Sequence, residues 1–374
     1  MIPLLFEVLT FIVSFAVVCL TLFLFYAYKS TSTYPDLKRH DSEKFYFDTG
    51  TKTKRRFPDY MDKPTLDLSV IVPAYNEETR LPIMMAETME YLEERQTSDP
   101  SFTYEVLIVD DGSKDITTEI GLRQSEKYGS DKVRVLTLHK NKGKGGAVRM
   151  GILSSRGKNI LFVDADGASK FSDLDKLEAS MTALLSVDRS DEKKYKKLSK
   201  HHGPVAIVCG SRAHLEKDSI AERSFFRTVL MIGFHFVVWF FCVRGIRDTQ
   251  CGFKLLTRGA ALLLFRNLHV ERWAFDVDLL FLAQTFGVPV AEVAIQWQEI
   301  EGTKMVPVWS WLQMGRDILL IRLRYSLGIW KFNEDVQMQE FDTIIEHCAN
   351  KKKKNSEIIT PSTGYVKIFH QSSM

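Results

Sequence analysis

Four short apolar runs, at residues 68–72, 104–109, 133–138 and 159–163, alternate with polar, helix-patterned stretches. This alternation constrains the fold more than any other feature of the chain. Each run is apolar nearly throughout, as expected of a strand buried on both faces of a parallel sheet. The stretches between predict helices over about 81–95, from an Asp115 cap to about Tyr128, and over about 144–155. Strand and helix in repetition imply an α/β fold, a Rossmann-like, mostly parallel sheet with helices on both faces. A fifth strand is expected at 205–209. Ligands of such sheets lie beyond the carboxyl ends of the strands, so the turns after the runs are where chemistry is expected.

Those turns are polar and acidic. Pro73-Ala-Tyr75-Asn-Glu77 follows the first run, Asp110-Asp111-Gly-Ser-Lys-Asp115 the second, and Asp164-Ala-Asp166-Gly the fourth. Asp164 and Asp166 on a tight turn offer hard oxygen ligands suited to Mg²⁺ or Mn²⁺ shared with a diphosphate. A lone Asp-x-Asp is a weak signal, and three such loops on one rim are a stronger one. The third run leads into His139-Lys-Asn-Lys142-Gly143-Lys144-Gly-Gly. Its glycines let a backbone approach an anion, the helix start favours negative charge, and Lys142 and Lys144 add positive charge. It is not a P-loop, because GxxxxGK[ST] is absent. Arg212 ends the fifth strand, and Arg223 and Arg227 follow beside an apolar stretch. Arginine grips phosphate through paired hydrogen bonds, so these three read as a site for an anionic lipid headgroup, or as positive-side anchoring without a specific ligand. Asp276 is a candidate base or acceptor-orienting carboxylate, and equally an ordinary helix-start residue.

The N-terminus adds a second constraint. Residues 8–28 carry no charged side chain, and about 21 residues at about 1.5 Å each cross a bilayer core. Neither a basic leader nor a small-x-small cleavage site accompanies the stretch, so residues 1–29 read as an uncleaved, single-pass anchor. Only Glu7 precedes it, whereas Lys29, Lys38, Arg39 and Lys44 follow, which places the remainder in the cytosol. The cysteines at 19, 209, 242, 251 and 348 form no CxxC pair and fit a reducing compartment. A net charge of +3 gives no signal for nucleic acid. Residues 30–65 read as a basic linker and 186–203 as a charged surface loop. The apolar 229–243 stretch is short for a second crossing and reads as a core helix or one at the membrane surface. Residues 301–332 hold an amphipathic helix, lying on a membrane or packed on the sheet, and 333–374 form a partly disordered tail.

The segments VIVPAYNEE, IVDDGSKD, NKGKGGAVRMG and FVDADGASKFSD, in that order, resemble glycosyltransferase family 2, whose fold is GT-A. The later segments GSRAHLEKDSIAERSFFRT, GFHFVVWFFCVRGIRDTQCGFKLL, HVERWAFDVDLL and WQEIEGTKM narrow the resemblance to the branch that acts on dolichyl phosphate. It covers essentially residues 4–330. It implies that residues 66–300 are a catalytic GT-A domain that transfers glucose, with inversion, from UDP-glucose to dolichyl phosphate. The reaction would face the cytosol at the endoplasmic reticulum membrane and serve N-glycosylation. Carried over by position, Pro73, Tyr75 and Glu77 border the nucleoside and Asp110 contacts the base. Asp111, Lys142, Gly143 and Lys144 complete the nucleotide-sugar set, Asp164 and Asp166 hold the metal and diphosphate, and Arg212 with Arg223 or Arg227 binds the acceptor phosphate. One position departs: related mannosyl enzymes often carry Gln where this chain has Ala168, so metal coordination relies more on water, diphosphate or another side chain.

The alternatives are a dolichyl-phosphate mannosyltransferase using GDP-mannose, since no residue by itself distinguishes uracil from guanine, and a non-catalytic membrane scaffold that binds nucleotide sugars. A glycan-chain synthase would need a QxxRW motif and several crossings, and neither is present.

Overall fold

The computed structural model describes residues 2–29, 33–189, 192–215, 233, 238, 240, 242–300 and 309–333. Two short strands, β1 (Phe45–Asp48) and β2 (Thr53–Arg56), pair as an antiparallel hairpin. Seven more build one sheet: β3 (Leu66–Ala74), β4 (Tyr104–Asp110), β5 (Val133–Thr137), β6 (Gly157–Val163), β7 (Ile207–Ser211), β8 (Phe253–Thr257) and β9 (Val290–Ala294). Their order is β5-β4-β3-β6-β8-β7-β9. The left side, through β6, is parallel; β8 runs antiparallel to both β6 and β7; and β9 is parallel to β7.

The period-two geometry of a strand explains the continuous apolar runs. Leu68, Val70 and Val72 point to one face and pack with Met85, Met89 and Leu92 of α2 (Leu81–Ser98). Ile71 points to the other and packs in the core shared with Val148 and Ile152 of α4 (Lys144–Ile152), which follows α3 (Thr117–Tyr128). Each such side chain, fully buried, contributes about 1.5–3 kcal/mol. The first face is completed by α5 (Leu174–Ser186), and the second by α7 (Arg258–Asn267), α8 (Phe275–Phe286) and part of α9 (Trp309–Ser326). The helix α6 (Lys193–His202) lies between α5 and β7 in the chain.

Helix α1 (Ile2–Lys29) contains an apolar stretch, Phe6–Tyr26, long enough to cross a membrane, and among the described residues none of its side chains is buried. Past it, Thr33 is fastened to the domain: its carbonyl oxygen lies 3.0 Å from His269 Nε2 and accepts the Lys331 amide at 3.2 Å. The His269 ring stacks on Trp330 with centroids 4.3 Å apart, and burial pushes its pKa down to about 4.

Several expectations need correction. The segment read as a basic linker, 30–65, is where described a part of the domain. Phe57 is in the core, Glu43 accepts the His139 amide at 3.0 Å, and Arg39 Nη2 donates to Ser154 Oγ at 2.8 Å. The charged 186–203 stretch is not only loop: Tyr195 and Leu198, three apart, give α6 an apolar stripe that meets the core. In α9 the packed alternative holds for Ile318, Ile321 and Tyr325, which enter the core, while Leu319 and Leu327 beyond its end are exposed. Of the 229–243 stretch only five positions are described; Val238 and Val243 are in the core and Phe240 is exposed.

At the amino ends of the strands one buried ion network ties the left half together. Glu105, inaccessible to solvent, accepts Ser69 Oγ at 2.6 Å, the Arg156 amide at 2.6 Å and Arg156 Nε at 2.8 Å, and is ion-paired with Arg134. Removing one partner strands the other's charge in the interior. Glu105→Ala is therefore expected to destabilise the domain by about 3–5 kcal/mol, read as a shift in the denaturant midpoint of the detergent-solubilised protein.

Candidate active site

The parallel pairing of β3, β4 and β6 sets their carboxyl ends side by side, and the acidic turns share that rim. Asp164 follows β6 directly. Its Oδ1 lies 2.6 Å from Lys144 Nζ, at the first turn of α4. Burial opposes the Lys144 charge, but Asp164 and Asp276 outweigh it and raise its pKa. Asp166 Oδ1 accepts the Ala168 amide at 3.0 Å. Burial, and then the neighbouring Asp164, raises the Asp166 carboxyl above its ordinary value. Among the described residues no third His, Cys, Asp or Glu joins the two to make a metal-binding group.

The antiparallel strand β8 brings a second turn to the same place. Phe253 pairs with Val163, so the residue before it, Gly252, reaches Asp164 and accepts its amide at 3.2 Å. A Cβ on Gly252 would stand 2.1 Å from Asp164 Oδ2, so only glycine permits this carboxylate position. Lys254, one turn of the pleat on, is inaccessible to solvent. Its ammonium donates to Asp276 Oδ1 at 2.6 Å, the Cys251 carbonyl at 2.5 Å and the Thr249 carbonyl at 3.1 Å. Asp276, expected as a base or acceptor-orienting group, is thus a buried counter-ion at the start of α8, with no face on the rim. Cys209 and Cys251 are buried thiols pushed up to about 12, which leaves them without nucleophilic character.

The glycine-lysine loop departs from its anion-cradle reading. The Asp111 carboxylate accepts the amides of Lys142 at 2.7 Å and Gly143 at 2.8 Å, so a side chain of the protein fills the place expected for a ligand anion. The glycines serve close packing: an added Cβ at Gly143 would meet the Glu271 carbonyl at 2.7 Å, and one at Gly145 would meet Phe275 at 2.5 Å. Lys142 turns outward, with Nζ 3.4 Å from the Lys38 carbonyl. Lys144 alone of this loop's lysines turns to the Asp164 carboxylate.

The remaining candidates build the rim's other wall. Pro73 is in register with Val109 at the end of β3, and Tyr75 is half-buried just beyond. Asp110 accepts the Ser113 amide at 2.9 Å and the Thr118 hydroxyl, which shapes the turn after β4. Asn76, at φ +53°, is stitched to that turn through Ser113 Oγ at 2.9 Å and the Lys114 amide at 2.8 Å. Glu77 is held by Arg80 through two bonds of 2.7 Å. Arg212 offers its Nε and Nη2 to Asp248 at 2.7 and 2.8 Å and lies over the Trp297 ring at 5.3 Å, so its paired-donor edge is taken by a carboxylate. Arg223 and Arg227 lie outside the described residues.

Gly252 and Lys254 carry the geometry around Asp164, and Asp248 sets Arg212; the sequence marked the 248–254 segment as a whole and gave none of the three a role of its own. One signal was available: a lysine inside the otherwise apolar Phe253-Lys-Leu-Leu run, which a buried strand tolerates only when the charge is paired.

A family model for glycosyl transferase family 2 matches residues 69–249. A dolichyl-phosphate beta-glucosyltransferase of Homo sapiens is 55% identical over 338 residues, covering 90% of this chain and 100% of that protein. One of the same name from Saccharomyces cerevisiae is 39% identical, over 76% of this chain and 84% of that one. Among solved structures, glucosyl-3-phosphoglycerate synthase of Mycobacterium tuberculosis is similar at a TM-score of 0.45 and 15% identity, covering 71% of this chain and 82% of that one, too distant to bear on this site.

Two substitutions test the geometry. Gly252→Ala forces Asp164 away from its place, and displacement of about 1 Å at a reacting centre costs about 10²-fold in rate; turnover is expected to fall that far while the melting temperature moves little. Asp111 has its pKa pushed up to about 6, first by burial. The stability tied to its retained proton is complete below the ordinary carboxylate range and is lost as the pH rises through about 6. Asp111→Asn is expected to shrink that step in melting temperature measured across the same pH window.

Proposed function

The chain belongs to glycosyl transferase family 2, among the dolichyl-phosphate β-glucosyltransferases, and we propose that its donor is UDP-glucose, held with a divalent cation at Asp164 and Asp166. It transfers glucose to dolichyl phosphate, giving dolichyl β-D-glucosyl phosphate and UDP. The observation that carries the site assignment is the pair of carboxylates at the end of β6 with a cationic side chain already 2.6 Å from one of them.

The donor set suits a hard cation. Two carboxylates, to be completed by phosphate and water oxygens, match the habit of Mg²⁺, which uses one or two protein carboxylates plus substrate phosphates. Bound there, such an ion supplies neutralisation of the charge that gathers on the departing UDP. The protein's own groups do the rest. Lys144 gives the leaving diphosphate a second positive partner. The turn held by Asp110, Asn76 and Glu77, with Pro73 and Tyr75, borders the nucleoside. Arg212, set by Asp248 and stacked over Trp297, retains Nη1 toward the acceptor phosphate, and Arg223 and Arg227 complete that half.

No general base is needed. The second pKa of a phosphate monoester is about 6, so the acceptor oxygen is ionised at neutral pH. It attacks the anomeric carbon, the bond from that carbon to the diphosphate oxygen breaks, and the configuration inverts. The work of the site is to hold two repelling anions in line. The burial of Asp276 under Lys254 accords with a reaction that asks no carboxylate to take a proton. Helix α1 is the candidate membrane anchor, and the lysines and arginines after it favour a domain on the cytosolic side, at the endoplasmic reticulum membrane.

The test uses membranes bearing the full chain, dolichyl phosphate and labelled UDP-glucose. A chloroform-soluble labelled lipid is expected, lost with Asp166→Ala, and inhibited by UDP but not by GDP. Transfer from GDP-mannose instead, or undiminished transfer by Asp166→Ala, overturns the donor or the cation assignment respectively.

A further inference from the structure

We propose that Lys144 couples the binding of the divalent cation to that of the nucleotide diphosphate, by holding Asp164 until a diphosphate gives its ammonium another anion. This rests on the cation reading of Asp164 and Asp166.

The Lys144–Asp164 pair is partly shielded, with side chains 18% and 32% exposed. A carboxylate already carrying an ammonium is a poor ligand for a second cation, so an arriving ion must displace Lys144. The displaced ammonium has no good refuge. Of the other carboxylates that Lys144 senses, Asp276 has Lys254 on it at 2.6 Å, and Asp166 is the one the arriving ion itself would occupy. Glu271, on the segment packed against the loop, is paired with Arg149 at 2.6 Å. The loop's negative partner, Asp111, spends its oxygens on the amides of Lys142 and Gly143. Releasing Lys144 without a new partner therefore leaves a shielded, uncompensated charge, which is costly. A diphosphate removes that cost by presenting fresh anionic oxygens beside the first turn of α4. Each ligand thereby binds better in the presence of the other. Linkage makes the factor reciprocal, and couplings of this kind are typically about 5- to 150-fold. The consequence is a site that disfavours loading with metal alone and takes metal and nucleotide together.

The experiment titrates Mn²⁺ into the detergent-solubilised full chain with and without UDP and reads bound Mn²⁺ by electron paramagnetic resonance, against protein-free samples holding the same UDP. For the wild type, UDP is expected to tighten Mn²⁺ binding at least about 5-fold. Lys144→Met should tighten Mn²⁺ binding in the absence of UDP by a similar factor and shrink the UDP effect to what the diphosphate's own ligation of the ion supplies, while Lys144→Arg, which keeps the charge, retains both wild-type features. Lys144→Gln serves as a second neutral variant, and melting temperatures establish that each variant is folded. If neutral variants leave UDP-free Mn²⁺ affinity unchanged or weaker, Lys144 is not the coupling group. If Asp166→Ala leaves wild-type Mn²⁺ binding untouched, the ion is not at this pair, and the cation assignment itself falls.

Discussion

A single ammonium group with no access to solvent underlies the arrangement around Asp164. Lys254 enters the sheet from β8 and would be intolerable there without partners. Its bonds to Asp276, Thr249 and Cys251 satisfy it, and in doing so tie the first turn of α8 and the loop before β8 to one point. Gly252 is part of that loop, and Gly252 sets the back wall of Asp164. The carboxylate at the rim thus stands where it does because a charge buried beneath it has been fully answered. Lys144 and Asp164 on the outer side, with Lys254 and Asp276 on the inner, form alternating charges in two layers. The inner layer gives the outer one a fixed electrostatic background in a region of low dielectric.

The strands at 68–72, 104–109, 133–138, 159–163 and 205–209 were legible because burial on both sheet faces writes itself as an unbroken apolar run. The acid-tipped turns were legible because an open parallel sheet has only one edge where ligands gather. Three things were not. The strand β8 carries a lysine, and its partner Asp276 lies on a helix 22 positions away, so the pairing that makes the strand acceptable is invisible along the chain. The hairpin at 45–56 has aromatic residues in β1 but no aliphatic one, and β2 is basic and exposed, so it looked like a linker. The contact of α6 with the core rests on Tyr195 and Leu198 among many lysines, too sparse a stripe to read.

The acidic residues of the site divide by what surrounds them. Asp110, Asp111 and Asp276 were each singled out for contact with substrate, and each is committed within the protein: to a turn, to two loop amides and to a lysine. Asp164 and Asp166 differ. One faces a lysine that an incoming anion can attract away, and the other keeps an oxygen beyond the amide it accepts. Residue type and spacing flagged all five as candidates, and only their partners separate the scaffold from the groups left to meet a ligand.

The bonds from Thr33 to His269 and Lys331 tie the chain to the domain shortly after α1 ends. With α1 in a bilayer, the domain cannot swing on a long leash. A lipid substrate then reaches the domain by sliding in the plane, so the search has two dimensions instead of three. What governs encounter is the surface density of that lipid in the surrounding leaflet, while the water-soluble donor still arrives from the bulk. A shortage of one cannot be offset by the volume of the compartment, only by the composition of the membrane.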